Sequence, residues 1–278
     1  MSSTRPWRCG SGRAPLRAHA DAAAEQVSEA LPGEPLHLLD DDGAAEWVRI
    51  ATAHDGYVGW AARHTVHPGP APGGAGGDWL AVVALRTHAL AAPDVRSPIV
   101  GELCLGARVW PRAAARGASA GAADSPWRPV LLAGGEPAWV DERCVSAGGP
   151  LGEPPPAGPR ERREQIIALA ARFVETPYVW GGRSAWGLDC SGLVQIVLGA
   201  CGIPVPRDSD EQQAALEPTD RPEPGDLAFF PGHVGLLVGA GRMVHANARA
   251  LRVTIDELAG DGYGGQLAAS CLGYGRLP

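Results

Sequence analysis

The sequence predicts an α+β chain in which two small β-barrels precede a third domain that places helices ahead of antiparallel strands. Stretches rich in Gly and Pro, at residues 67–78 and 148–160, have the composition of linkers, and they divide the chain into segments 1–66, 79–147 and 161–278. The first two segments share a pattern of short alternating strands with Gly-containing turns. The third segment begins with helical periodicity instead.

The composition is that of a globular protein. The 278 residues are enough for two or three domains, with 45% hydrophobic and 20% charged residues. Because the formal net charge is −7 and no basic cluster is present, nucleic acid is not an expected partner. No apolar run approaches the roughly 20 residues that span a bilayer, and residues 1–20 lack the apolar core of a secretory signal. We therefore expect a cytoplasmic protein without a membrane partner.

The first two segments are similar to each other. Both contain Leu-Arg-x-His-Ala, at residues 16–20 and 85–89, followed by a step of one apolar residue and Gly into an apolar strand. Each then has a hairpin bounded by tryptophans, at residues 47–60 and 127–139. Such strands and turns indicate barrels of about 60 residues. Each segment resembles a bacterial SH3-like domain, in which Gly-Tyr-Val-Gly-Trp (56–60) is a recurrent closing hairpin.

Two features of these segments carry further expectations. The second segment contains an apparent loop insertion at residues 113–126. Five aromatic residues are interpreted as barrel core, with contact to a ligand or to the next domain as the alternative. They are Trp47, Tyr57, Trp60, Trp127 and Trp139.

The third segment has helices first and strands later. Residues 160–174 form a predicted amphipathic helix with one apolar face, made of Ile166, Ile167, Leu169, Ala170, Phe173 and Val174. A second helix begins at Cys190, with Asp189 at the N-cap position, and ends at Gly202. An irregular stretch follows. Consecutive strands are predicted at residues 225–230, 233–239 and 242–246.

Cys190 has four candidate roles: core residue, half of a disulfide, metal ligand or nucleophile. The six cysteines show no CxxC spacing, which disfavours a disulfide framework or a zinc knot, although Cys201 and Cys271 remain possible further ligands. At a helix start, unpaired amides and the helix dipole favour the thiolate. Because Asp189 opposes this effect, a nucleophilic Cys190 needs a neighbouring base.

Two histidines are candidates for that base. Of the eight in the chain, only His233 and His245 lie in the third segment. A turn near residues 239–241 makes them close to cross-strand neighbours. One imidazole can then act on the cysteine while the second orients it, which is the nucleophile, base and orienting-residue arrangement of serine proteases.

Five motifs in the third segment occur together in one protein family. They are TPYVWGG, LDCSGLVQ, IPVPRDSDEQ, EPGDLAFF and HVGLLVGAGRMVHA. In order and spacing they resemble the NlpC-type cysteine peptidases, bacterial cell-wall endopeptidases with a papain-like core, over residues 161–278. The resemblance implies that Cys190 is the nucleophile, His233 the general base and His245 the orienting residue. It implies neither a cofactor nor a metal ion.

With the two SH3-like segments, the chain resembles the γ-D-glutamyl-L-diamino acid endopeptidases of the dipeptidyl-peptidase VI type. These cleave after D-isoglutamate in peptidoglycan stem peptides with a free N-terminal L-Ala, in murein peptide recycling. The resemblance implies an amine pocket built from the peptidase domain and the first SH3-like domain. The matching positions are Tyr178, Asp208, Ser209 and Ser191, and Asp189 joins them as a cap or local orienting residue.

Some assignments in this pocket stay open. The carboxylate of Asp208 suits a substrate ammonium, and an N-cap for the following SDEQQAAL stretch is an equal alternative. Tyr178 is interpreted as a pocket wall in preference to core. The aromatic residue expected from the first segment is Tyr57, Trp7 or Trp47.

Three other functions compete with this interpretation. The first is a general endopeptidase acting on intact peptidoglycan, with the SH3-like pair as wall-binding modules. The second is an inactive module that binds stem peptides, which the complete Cys–His–His set disfavours. The third is an acyltransferase or amidase acting on another amide, because one fold can host several chemistries.

Overall fold

The computed structural model describes residues 6–41, 43, 46–72, 78–112, 126–147, 158–239 and 241–278. They form two compact units, residues 1–154 and 155–278. The predicted insertion at 113–126, except for Pro126, and the centre of each predicted linker lie outside the described residues.

The first half of unit 1 is a seven-stranded sheet. Its strands are β1 (Pro6–Cys9), β2 (Ala14–Arg17), β3 (Gln26–Ala30), β4 (Pro35–Asp40), β5 (Trp47–Thr52), β6 (Val58–Ala62) and β7 (Val66–Pro68). A 3-10 turn, Arg63–Thr65, precedes β7. The order across the sheet is β3-β2-β6-β5-β4-β1-β7. Because β7 pairs with β1 up to Pro68, this sheet extends two residues beyond the predicted limit at residue 66.

The second half of unit 1 repeats the same topology. Its strands are β8 (Leu80–Val82), β9 (Arg86–Leu90), β10 (Ile99–Cys104), β11 (Arg108–Pro111), β12 (Trp127–Leu131), β13 (Pro137–Asp141) and β14 (Val145–Ala147). The order β10-β9-β13-β12-β11-β8-β14 matches the first sheet strand for strand. A 3-10 turn, Glu142–Cys144, again precedes the last strand. The predicted internal repeat is therefore confirmed at the level of topology.

The cores of the two sheets are mainly aliphatic, which corrects the expectation for the five aromatic residues. In β13, Ala138 and Val140 are fully buried, while Trp139 between them is only partly buried. Side chains alternate between the two faces of a strand, so Trp139 lies on the outer face. The other four aromatic residues are partly buried as well (Trp47, Tyr57, Trp60 and Trp127). Trp7, by contrast, is 6% exposed and belongs to the first core.

The two sheets of unit 1 are joined by hydrogen bonds to backbone carbonyls. The amide of Arg108 donates to the carbonyl of Pro32 over 2.8 Å, and the Arg8 guanidinium donates to the carbonyl of Ala133 over 3.1 Å. Next to the first of these bonds, Gly33 has a φ of 75°. A Cβ at this residue would overlap the Arg108 carbonyl. Gly33 therefore permits both the turn and the close approach of the second sheet.

Unit 2 is an α+β domain, as predicted. Its helices are α1 (Pro159–Ala171), α2 (Cys190–Ala200), α3 (Ser209–Ala215) and α4 (Tyr263–Ala269). Its strands are β15 (Arg183–Ser184), β16 (Gly187–Leu188), β17 (Glu217–Pro218), β18 (Leu227–Phe230), β19 (His233–Gly239), β20 (Arg242–Asn247), β21 (Arg252–Glu257) and β22 (Gly273–Arg276). Six of them form an antiparallel sheet in the order β17-β22-β18-β19-β20-β21.

Helix α2 lies at the centre of unit 2. Ten of its eleven residues are buried, and the helix packs against α1 and against strands β19 and β20. Three residues of the predicted apolar face of α1 are buried (Ile166, Leu169 and Ala170), and the helix ends at Ala171, before the predicted limit at residue 174. The stretch between α2 and β18 is not wholly irregular, since it contains α3 and β17. In the described part of the chain, no helix is both long enough and apolar enough to span a membrane.

Replacing Gly33 with Ala is expected to destabilise unit 1 more than replacing Gly56 with Ala. Both glycines have a φ of 75°, so both variants lose about 1 kcal/mol through the left-handed backbone. Only the Cβ at residue 33 meets a neighbouring backbone carbonyl, whereas no described atom lies within 4 Å of one at residue 56. The overlap adds about 1–3 kcal/mol. Urea unfolding followed by tryptophan fluorescence measures the difference, and equal midpoints would contradict this account of the contact.

Candidate active site

Cys190 is the first residue of helix α2, and Asp189 is its N-cap. The Asp189 carboxylate accepts a hydrogen bond from the amide of Gly192 over 2.7 Å, which confirms the predicted cap. Gly192 packs so closely on the preceding loop that a Cβ would overlap the carbonyl oxygen of Gly182. The helix start is therefore held against the loop that carries the Trp-Gly-Gly sequence, and Cys190 is 7% exposed.

The electrostatic surroundings of Cys190 favour the neutral thiol. Burial, followed by the negative charge of Asp189, raises the pKa of Cys190 to about 11, although hydrogen bonds from the amides of Val234 and Ser191 lower it. Amides near the helix start lower the pKa of Cys190 as expected, but desolvation and the charge of Asp189 outweigh them. A base is needed to remove the thiol proton.

His233 and His245 are brought together by strands β19 and β20. Nε2 of His233 lies 2.7 Å from Nδ1 of His245, which confirms the predicted proximity. Leu236 pairs with Val244 and Leu237 with Met243. Continued along the strands, this register makes the two histidines diagonal neighbours on one face of the sheet.

Both imidazoles are neutral near pH 7. Burial, with a smaller contribution from the neighbouring His245, lowers the pKa of His233 to about 3. Burial lowers the pKa of His245 too, although its hydrogen bond to Asp256 acts in the opposite direction. Two neutral imidazoles in contact suit a pair in which one accepts a proton and the other holds it in orientation.

Asp256, which the sequence did not single out, extends this row by one strand. Nε2 of His245 lies 2.7 Å from Oδ2 of Asp256. His245 pairs directly with Thr254 on β21, which makes Asp256 its diagonal neighbour. Although partial burial opposes the effect, hydrogen bonds from His245 and Thr254 keep the pKa of Asp256 below its ordinary value. The alternation Val-Thr-Ile-Asp in residues 253–256 is the signal that would have predicted β21 and placed Asp256 beside His245.

A buried ion pair connects the helix start to the segment before α3. Arg207 donates to both carboxylate oxygens of Asp189, over 3.0 Å and 2.5 Å, and to the hydroxyl of Ser191 over 2.8 Å. The Arg207 side chain is 1% exposed. The Asp189 carboxylate also accepts from the amide of Gly181 over 2.8 Å. These internal partners fit the interpretation of Asp189 as a cap and orienting residue, and direct contact of Asp189 or Ser191 with a substrate stays a prediction.

Of the other predicted pocket residues, Tyr178 lies near Cys190, and Asp208 and Ser209 lie at the start of α3. Tyr178 is half-buried, and burial, Cys190 and Asp189 all raise the pKa of its hydroxyl. Asp208 occupies the N-cap position of α3, but its carboxylate caps none of the amides of this described helix. Ser209 begins α3 and is half-buried. The N-cap alternative for Asp208 therefore holds for its backbone position and not for its side chain.

Tyr263 is a further neighbour that the sequence did not indicate. Its ring stacks on that of His245, with centroids 6.2 Å apart and an interplanar angle of 18°. The Arg249 guanidinium lies over the Tyr263 ring, 5.2 Å from its centroid. Tyr263 therefore covers one side of the His245 ring. Among the residues that the structure describes, no group of three or more His, Cys, Asp or Glu side chains is arranged to hold a metal ion.

Comparison with known proteins finds two matching families and several relatives. The profile of the NlpC/P60 family matches residues 175–270, and that of the bacterial dipeptidyl-peptidase SH3 domain matches residues 16–65. Dipeptidyl-peptidase 6 from Lysinibacillus sphaericus is 30% identical over 251 residues, which are 87% of this chain and 88% of the relative. Gamma-D-glutamyl-L-lysine dipeptidyl-peptidase from Bacillus subtilis is 38% identical over 116 residues, 38% of this chain and 39% of the relative.

A solved structure shows the same fold along the chain. The crystal structure of an NlpC/P60 family protein from Bacillus cereus superimposes with a TM-score of 0.79 at 21% sequence identity. The match covers 98% of this chain and 100% of that one. The papain-like peptidase fold with a β-rich SH3-like region before it is thereby established.

Replacing Arg207 with Met is expected to lower the free energy of unfolding of unit 2 by about 3–5 kcal/mol, because the buried Asp189 charge loses its partner. Arg143 offers a matched control. Arg143 also forms a bidentate ion pair, with Asp141, over 3.0 Å and 2.5 Å. Its side chain, however, is 81% exposed. Exchanging Arg143 for Met should leave the unfolding midpoint unchanged. Calorimetry of both variants makes the comparison, and a similarly small effect at both positions would refute the importance of the buried pair.

Proposed function

The chain belongs to the NlpC/P60 family and is a cysteine peptidase, and we propose that it cleaves the bond between γ-D-glutamate and a diamino acid in peptidoglycan stem peptides with a free N-terminal L-Ala. The observation that carries the proposal is the row formed by His233, His245 and Asp256, whose two histidines lie on the strands β19 and β20 that pack against the helix of Cys190. The relative that aligns over 87% of the chain is named dipeptidyl-peptidase 6, which supports it. A second relative is named for the γ-D-glutamyl-L-lysine bond.

In the proposed mechanism, His233 removes the proton from the Cys190 thiol as the sulfur attacks the γ-D-glutamyl carbonyl. Amides at the start of α2 stabilise the resulting oxyanion, since they point toward the developing charge. His233 then gives its proton to the nitrogen of the diamino acid, and the C–N bond breaks to leave a thioester. Water, deprotonated by His233, hydrolyses the thioester and restores the thiol. This general-base route suits a resting pair in which both thiol and imidazole are neutral.

Recognition of the free amine is assigned to Asp208, with Tyr178 as a wall. An ammonium group removed from water needs a carboxylate partner, and Asp208 supplies one at the start of α3. The raised pKa of Tyr178 keeps its hydroxyl protonated and able to donate a hydrogen bond. Ser191 and Ser209 are assigned to the same site through the family resemblance.

Both halves of unit 1 are proposed to be SH3-like domains, with limits near those expected from the linkers. The family profile supports the first, and the identical strand order supports the second. We propose that the enzyme acts on released peptides in murein recycling. The cytoplasmic location stays a prediction.

Replacing Cys190 with Ala is expected to abolish release of L-Ala-γ-D-Glu from the tripeptide L-Ala-γ-D-Glu-diamino acid, by at least about 10⁴-fold in kcat. Cys201 provides the matched control, because it is also a buried free cysteine, at the other end of the same helix. Its Ala variant should retain activity. Mass spectrometry of the products makes the measurement, with meso-diaminopimelate and L-lysine peptides tested in parallel.

The same assay separates the competing functions. Turnover of the free tripeptide and none of intact sacculi supports the proposal. Products from sacculi would instead favour a general cell-wall endopeptidase and would contradict the recycling role. Full activity of the Cys190→Ala variant would overturn the nucleophile assignment.

Replacing Asp208 with Asn is expected to lower kcat/KM for the free tripeptide by about 10- to 100-fold, which corresponds to the loss of one hydrogen bond to a charged group. The wild-type enzyme should discriminate strongly against the N-acetylated tripeptide, and the variant should lose most of that discrimination. Asp210→Asn, an exposed position in the first turn of the same helix, is the control. Unchanged discrimination in the Asp208 variant would exclude Asp208 as the amine partner.

A further inference from the structure

We propose that Asp256 is a positioning residue that sets the tautomers of both histidines, so that His233 holds its proton on Nε2 and offers Nδ1 as the nitrogen that accepts the thiol proton. This inference rests on the proposed function, since it specifies the base atom of that mechanism. It follows from a chain of hydrogen bonds whose direction is decided at one end by backbone amides.

The chain begins at Asn247, the last residue of β20. Its Oδ1 accepts hydrogen bonds from the amides of Arg249 and Ala250, over 2.9 Å and 3.1 Å. Backbone amides can only donate, so the orientation of this side-chain amide is determined. Its Nδ2 therefore faces the other way and donates to Oδ2 of Asp256 over 3.2 Å.

The next group, the Asp256 carboxylate, accepts at Oδ2 from several donors at once. Thr254 donates its hydroxyl proton to that oxygen over 2.7 Å, in addition to the bond from Asn247. Hydrogen bonds to the charged form favour ionisation, and an ionised carboxylate has no proton to give. Nε2 of His245, which lies 2.7 Å from the same oxygen, must therefore carry a proton.

The proton on Nε2 of His245 in turn determines the tautomer of His233. A neutral His245 with its proton on Nε2 has a bare Nδ1, and this atom lies 2.7 Å from Nε2 of His233. Two bare nitrogens at that distance would repel each other, so Nε2 of His233 must be the donor. The only nitrogen of His233 left to accept a proton is Nδ1.

The arrangement also stabilises the imidazolium that forms when the thiol loses its proton. When Nδ1 of His233 takes the thiol proton, the positive charge faces a chain of acceptors that ends at an anion. No proton along the row has to move, because Nε2 of His233 still donates to His245 and His245 still donates to Asp256. Asp256 thus acts on the base through His245 and needs no contact with the substrate.

The tautomers can be read directly by nitrogen NMR of protein labelled with ¹⁵N-histidine, without any substrate. We expect both His233 and His245 to show a protonated Nε2 and a bare Nδ1 at pH 7, with resonances assigned through His233→Gln and His245→Gln variants. A protonated Nδ1 on His233 in the wild-type protein would overturn the proposal. Absence of tripeptide turnover by the wild-type enzyme would instead count against the proposed function alone.

Variants at residue 256 add a kinetic readout. Asp256→Ala removes the acceptor, so both rings should sample both tautomers and kcat should fall by about 10²- to 10⁴-fold with KM nearly unchanged. Asp256→Asn can place its amide oxygen where Oδ2 lies, and it should keep the tautomers and lose less activity. Glu257→Gln, an exposed neighbour on β21, is the control and should behave as wild type.

The proposal is supported if kcat and the fraction of each imidazole in the expected tautomer both fall in the order wild type, Asp256→Asn, Asp256→Ala. Wild-type tautomers together with a wild-type kcat in the Ala variant would overturn it. If the Ala variant fails to fold, the wild-type spectrum and the Asn variant decide the matter by themselves.

Discussion

The buried pair between Asp189 and Arg207 is the interaction on which the rest of the site depends. One carboxylate caps helix α2, accepts the amide of Gly181 and neutralises a guanidinium that is 1% exposed. These contacts hold the loop, the helix start and the segment before α3 in one geometry, with Cys190 at their centre. The same charge helps to raise the pKa of the thiol, so the arrangement that positions the nucleophile also keeps it protonated. A neighbouring base is the necessary complement.

The antiparallel sheet supplies that base. Hairpin strands β19 and β20, followed by β21, place His233, His245 and Asp256 as diagonal neighbours on adjacent strands, with two successive separations of 2.7 Å. Burial keeps both imidazoles neutral, and in a low-dielectric setting the direction of each hydrogen bond matters more than it does in water. A small number of backbone amides after β20 is then sufficient to orient a row that crosses three strands. The geometry explains how a thiol with a raised pKa can still be activated.

Much of this site could be predicted because its residues lie in local patterns. The N-cap and helix of Asp189 and Cys190 occupy one continuous stretch, and His233 and His245 lie on strands joined by a short turn. Asp256 could not be found in the same way, since its strand was not recognised and its role depends on the register of β20 with β21. Arg207 lies in a quoted motif, yet only its burial against Asp189 gives it a function. The five aromatic residues of unit 1 were misassigned to the core because apolar character alone does not say which face of a strand a residue occupies.

The sequence by itself determined the α+β class, the internal repeat, the Cys–His–His set and the family resemblance, because each is written in local periodicity or in motifs of a few residues. Only the tertiary structure decided the protonation of Cys190, the partner of Arg207 and the place of Asp256 in the histidine row. These properties depend on desolvation and on distances between segments far apart in the chain. Burial can reverse the expectation from a helix dipole, and strand register selects which of several carboxylates meets His245.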